Sequence, residues 1–119
     1  MGHIIVSLSH GKEDVERGSL SFTIANAALS SGQDASVMLT IEGVWLATQG
    51  YADGLQTAPY PPLGEMIQRF VNDGGNLWVC GVCVKPRGIT EEHLIPDAKI
   101  VGAATLIEGM DTGGATISF

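Results

Sequence analysis

The sequence predicts one three-layer α/β/α sandwich domain of α/β class, built on a mostly parallel five-stranded sheet. Three observations carry this expectation. Short β-rich runs alternate with segments of helical periodicity, the pattern of successive βαβ units. Hydrophobic residues make up 45% of the chain and charged residues 16%, a surplus that suggests strands covered on both faces or a contact between subunits. The length of 119 residues is that of a single domain, and a domain of this size folds without a disulfide or a metal.

The elements follow in order. His3–Ser9 (HIIVSLS) is a compact apolar run closed by His10-Gly11 and reads as the first strand. Asp14 is placed to cap a helix that runs to about Ser30. Leu20, Ile24, Ala27 and Ala28 share one face of it, and Gly32 supplies the stop. Ala35–Ile41 (ASVMLTI) is the second strand. Glu42-Gly43 then opens a short helical stretch around Val44–Thr48, and a loop with two tyrosines and three prolines runs from Gly50 to Pro62.

Leu63, Met66, Ile67, Phe70 and Val71 keep the spacing of an amphipathic helix, ended by Gly74-Gly75. Asn76–Val82 (NLWVCGV) is the third strand. Thr90 is placed as a helix cap, with Ile89 and Leu94 set to form a hydrophobic staple. Lys99–Val101 is a short fourth strand, Ala103–Met110 a helix, and Ala115–Phe119 (ATISF) the last strand. The count is five strands and about five helices, with no repeat and no linker.

Charge narrows the function classes. Six Lys and Arg against thirteen Asp and Glu leave a net charge of −7, which argues against nucleic acid and anionic membrane as partners. No apolar run reaches the roughly 18 residues of a membrane span. The start, Met1-Gly2-His3-Ile4, lacks the basic segment and cleavage site of a secretory signal. A cytoplasmic protein with reduced thiols is therefore expected.

In a parallel sheet, ligands bind where loops leave the carboxyl ends of strands. Three such ends carry Ser9-His10-Gly11, Glu42-Gly43 and Cys80-Gly-Val-Cys83. Lys85 and Arg87 are the only cations between Arg69 and Lys99, and nearby positive charge lowers a thiol pKa. The plain alternative is two small buried hydrophobes at a strand end. His10 is either a ligand donor or a loop-capping residue. Glu42 is either a site acid or a first-turn carboxylate that complements a helix dipole.

One CxxC and three scattered histidines fall short of the four ligands of structural zinc, although His93 could approach the cysteines, so no metal is expected. Cofactor motifs such as a Walker loop, GxGxxG or HExxH are absent. Trp78-Val-Cys80-Gly-Val-Cys83 is similar to a thioredoxin dithiol, but it follows the third strand, and Pro86 would cut off a helix begun at Cys83.

From these residues outward the chain resembles the DsrE/DsrF-like proteins, small α/β subunits that include sulfur-relay proteins of tRNA thiolation and of dissimilatory sulfur oxidation. The resemblance covers nearly the whole chain. It rests on Ala25-Asn26-Ala27-Ala28, on Glu42-Gly43-Val44, on Cys-x6-Arg-Gly at Cys80, Arg87 and Gly88, and on the ending at Phe119. It implies an α/β/α sandwich assembled as a homotrimer or homohexamer. It also implies a persulfide on Cys80 that passes between sulfur-donor and sulfur-acceptor proteins. On that view Lys85 and Arg87 stabilise the Cys80 thiolate, and His10 and Glu42 line the pocket.

Cys83 departs from the best-known carrier pattern and is similar to a CxxC-bearing branch labelled predicted peroxiredoxins. Two other functions therefore stand beside the carrier. One is thiol-disulfide or peroxide handling by Cys80 and Cys83 together; the other is a noncatalytic oligomeric subunit that binds a ligand or partner.

Overall fold

Five strands and four α-helices alternate in the computed structural model, which describes residues 2–119. The reading of the N-terminus, which begins at Met1, lies partly outside them. The elements are β1 (His3–Leu8), α1 (Val15–Ser30), β2 (Asp34–Leu39), α2 (Leu63–Asn72), β3 (Asn76–Cys80), α3 (Gly81–Val84), β4 (Ala98–Val101), α4 (Ala103–Asp111) and β5 (Ala115–Ser118). Short 3-10 turns fill the gaps, the longest at Ile41–Ala47. The sheet order is β4-β3-β2-β1-β5, and every neighbouring pair is parallel.

This order follows from right-handed crossovers. Successive steps from β1 to β2 and β3 leave α1 and α2 on one face. The chain then returns across the sheet to β5, which brings α4 to the opposite face. There Gly109 lies against Ile5 and Trp78; a Cβ on it would sit 3.2 Å from Ile5 Cδ1. The strand order reverses beside β1, and an open parallel sheet forms its crevice at such a reversal.

Alternation along the strands builds the main core. Val6 and Leu8, then Ala35, Val37 and Leu39, then Leu77 and Val79 are buried toward α1 and α2. The expected face of α2 is confirmed, since Leu63, Met66, Ile67, Phe70 and Val71 are all buried. Phe70 meets Phe22 of α1 edge to face, with ring centroids 5.7 Å apart.

The expected face of α1 is corrected. Gly18, Ser19, Ser21, Phe22, Ala25 and Asn26 are buried, whereas Leu20, Ile24 and Ala28 are half-buried and Ala27 is exposed. Phe22 carries the largest apolar area on the helix, and the small residues around it let α1 approach the sheet closely. Burying the two serines costs little, because Ser19 Oγ donates to the Val15 carbonyl at 2.8 Å and Ser21 Oγ to the Arg17 carbonyl at 2.7 Å. Asp14 does cap the helix, accepting from the Arg17 N–H at 3.0 Å.

Two strand ends are also corrected, and both lie at the candidate site. β2 stops at Leu39 rather than Ile41, and β3 at Cys80 rather than Val82. Thr40 still donates to the Leu8 carbonyl at 3.0 Å, but Ile41 has φ of 52° and turns the chain away. The helix expected after Thr90 is one 3-10 turn, Glu91–His93, with Ile89 and Leu94 buried on either side as a staple requires. Among the described residues, no helix is long and apolar enough to cross a membrane.

Candidate thiol site

Cys80 is the last residue of β3 and the residue ahead of α3, so the chain changes from strand to helix at its Cα. Cys83 follows one helical turn later. Residues three apart on a helix project from the same face, and here the two thiols are neighbours. Both are free and half-buried. The helix begins two residues before Cys83 and gives way at Lys85–Arg87 to a 3-10 turn containing Pro86. Pro86 therefore shortens the helix without separating the cysteines.

Burial pushes the Cys83 thiol above its ordinary value of 9.0. The Ile41 backbone N–H opposes this, the adjacent Cys80 thiol adds to it, and the Arg87 guanidinium again opposes it. The positive charge of Arg87 thus acts on Cys83. Arg87 Nη1 donates to the Cys83 carbonyl at 3.0 Å, and Nη2 reaches Glu42 Oε1 at 3.4 Å. Arg87 thereby ties the loop after β2 to the loop after β3. Gly88, with φ of 68°, ends the turn that aims it.

The loop after β2 is fixed from the other side by close backbone packing. A Cβ at Gly43 would fall 2.4 Å from the Leu8 carbonyl oxygen, so only glycine lets this turn lie over the end of β1. The carboxyl ends of β1, β2 and β3 are therefore brought together, as the strand assignments require.

The remaining expected residues are dispersed around this centre. Glu42 is half exposed and paired with Arg87. His10 lies in the β1 loop, where Nδ1 meets Glu13 Oε2 at 2.6 Å. Burial is the largest single influence on the Glu13 carboxyl and raises it, but hydrogen bonds from His10 and from the Gly11 N–H together outweigh it and bring the group below its ordinary value. Lys85 is exposed and forms no ion pair among the described residues. His93 lines an open cavity of about 450 Å³ together with Trp45, Thr48, Glu92 and Arg87, and its Nδ1 accepts from the Thr90 N–H at 3.0 Å. No three His, Cys, Asp or Glu side chains cluster as a metal site among the described residues.

Ile41 escaped the sequence reading. A β-branched residue at positive φ is an outlier, and nothing in the apolar run ASVMLTI signals it. A second cavity, about 610 Å³, runs between α1 and α2 over Asn26, Met66 and Arg69 and contains neither cysteine. Asn26 Nδ2 donates to the Met66 carbonyl at 3.2 Å, while its Oδ1 is buried without a protein partner.

Fold and site together define a small doubly wound α/β protein with a cysteine pair at the carboxyl edge of its sheet. The chain belongs to the DsrE/DsrF-like family, whose model matches residues 2–119, and that family is related to sulfur relays. Its curated relatives are uncharacterized proteins of archaea. MJ0989 of Methanocaldococcus jannaschii is 28% identical over 116 residues, covering 98% of this chain and 96% of that protein. MK0008 of Methanopyrus kandleri is 25% identical over 116 residues, covering 98% and 93%.

MJ0760 of Methanocaldococcus jannaschii is 28% identical over 97 residues, which is 82% of this chain. The chain spans only 35% of MJ0760. Two solved structures share the fold over their full length. They are the ychN protein from E. coli, with a TM-score of 0.76 at 15% identity, and MTH1491 from Methanobacterium thermoautotrophicum, a protein of unknown function, with 0.78 at 11%.

Proposed function

We propose that this protein is a sulfane-sulfur carrier that holds a persulfide on Cys80 within a sulfur relay. The observation that supports it best is the position of Cys80, half-buried at the carboxyl end of a parallel strand, in a chain of a sulfur-relay-related family. The Cys80 thiolate attacks the outer sulfur of a donor persulfide. That sulfur–sulfur bond breaks, the donor leaves as a thiolate, and Cys80 gains one sulfur. An acceptor thiolate removes the sulfur by the same exchange. Donor and acceptor are partner proteins in this reading, and the persulfide chemistry itself calls for no metal or organic cofactor.

Incubation with a protein persulfide, followed by intact mass, tests the proposal. Cys83→Ser is expected to gain one sulfur and Cys80→Ser none. Equal loading of Cys80→Ser would overturn the assignment.

A second reading, a dithiol that cycles through a Cys80–Cys83 disulfide, is favoured by the single helical turn between the thiols. Disulfides need Cα atoms within about 7 Å and converging side chains, which this spacing supports. We also propose that the protein works as a homotrimer or homohexamer. Ile107 and Met110 on α4 and Ile117 on the edge strand β5 are large apolar side chains left at the surface, 62%, 45% and 44% exposed.

A further inference from the structure

We propose that Cys83 discharges the Cys80 persulfide, releasing hydrosulfide and leaving a Cys80–Cys83 disulfide. This inference rests on the persulfide reading of Cys80. It turns the carrier into a protein that delivers its sulfur in reduced form when no acceptor thiol arrives.

The placement of the two residues is the first support. α3 sets Cys83 one turn beyond Cys80 and beside it, so the Cys83 sulfur is adjacent to the atom that bears the persulfide. An intramolecular thiol so placed competes well against thiols in solution, because the entropy of bringing the pair together is already spent in folding.

The second support is what surrounds the Cys83 sulfur. The Ile41 backbone N–H faces it, and Arg87 holds the Cys83 carbonyl while presenting its charge nearby. Burial keeps the resting Cys83 thiol protonated, and the donor and the cation partly offset that burial, so they stabilise the thiolate once it forms. Ile41 adopts φ of 52°, in the left-handed region that a β-branched L-residue rarely occupies. Strained backbone of this kind persists where surrounding structure over-determines it. Here the Arg87–Glu42 pair and the close packing of Gly43 on the Leu8 carbonyl fix the two residues that directly follow Ile41.

The step balances. The Cys83 thiolate attacks the inner sulfur, Cys80 Sγ, and a sulfur–sulfur bond forms between the two residues. The bond from Cys80 Sγ to the outer sulfur breaks, and that sulfur leaves with the electron pair as hydrosulfide. The proton released from Cys83 passes to solvent. The outer sulfur is reduced and the Cys83 sulfur is oxidised, while Cys80 Sγ exchanges one sulfur partner for another, so a dithiol reductant must open the bridge before the next loading.

Wild type, Cys83→Ser and Cys83→Ala are loaded with a protein persulfide under nitrogen, freed of excess donor, and followed by intact mass and by trapping of hydrosulfide. Wild type is expected to lose the added sulfur and two hydrogens while releasing one equivalent of hydrosulfide. Both variants should keep the sulfur at least about tenfold longer. Dithiothreitol should restore loading of the spent wild type. A wild type that retains its sulfur as long as both variants do overturns the discharge and leaves the carrier standing. Variants that fold but never gain sulfur overturn the carrier and the discharge with it.

Discussion

At Cys83, burial and hydrogen bonding act in opposite directions, and burial prevails. A thiol raised above its unfolded value holds its proton more tightly in the fold. Its contribution to stability is fully present below 9.0 and is lost as pH rises through the folded value. Urea unfolding measured on either side of 9.0 is therefore expected to show a steeper loss of stability for wild type than for Cys83→Ser. In wild type, alkylation resolved at Cys83 by peptide mass should reach half its maximal rate above 9.0; a midpoint at or below that value would contradict the buried environment. A protonated resting Cys83 also suits a persulfide that must survive long enough to be transferred.

The elements that carry the thiols are short, and their positions depend on turns rather than on length. α3 has four residues, and the turn Ile41–Ala47 has seven. At Gly43 that turn lies directly over the Leu8 carbonyl at the end of β1. Gly43→Ala would place a carbon against the Leu8 carbonyl, and one of the two backbones must move. The expected cost is about 1–3 kcal/mol, the usual penalty for overpacking. Equilibrium unfolding in urea would check it, and a variant as stable as wild type would show that the turn can relax without loss. The Arg87–Glu42 contact is exposed enough that its direct contribution to stability is small. It matters here as a geometric tie between two loops.

Across the whole molecule the two faces of the sheet differ. The α1–α2 face buries an extensive apolar core, while the α4 face mixes Ile5 and Met38 with His3, Ser36 and Asn76. Ser36 Oγ meets His3 Nε2 at 2.9 Å and accepts from Asn76 Nδ2 at 3.1 Å, so polar groups pair under a single helix. That helix leaves Ile107 and Met110 outward, and β5 beside it is exposed along its length. Association of copies through such surfaces would hide them from water. Light scattering at micromolar concentration should report three or six copies of the 12.4 kDa chain, and a monomer would reject the assembly.

The sequence by itself determined the class of fold, the strand candidates, the buried face of α2 and the loops that converge around Cys80. Each of these rests on a local signal. Leu63, Met66, Ile67, Phe70 and Val71 describe one stripe with no rival on the same helix, so period alone identifies the core face. α1 carries two apolar stripes, and only the shape of the sheet and of α2 chose Phe22 over Leu20 and Ile24. The strand ends were likewise decided in three dimensions, because an apolar run does not say where pairing stops and a turn begins. Arg87 pairs with Glu42 across 45 positions of sequence, and its charge falls on Cys83 once the chain turns at Gly81. Periodicity is a property of neighbours along the chain, whereas the choice between two competing faces and the partner of a long side chain are set by whatever packs against them.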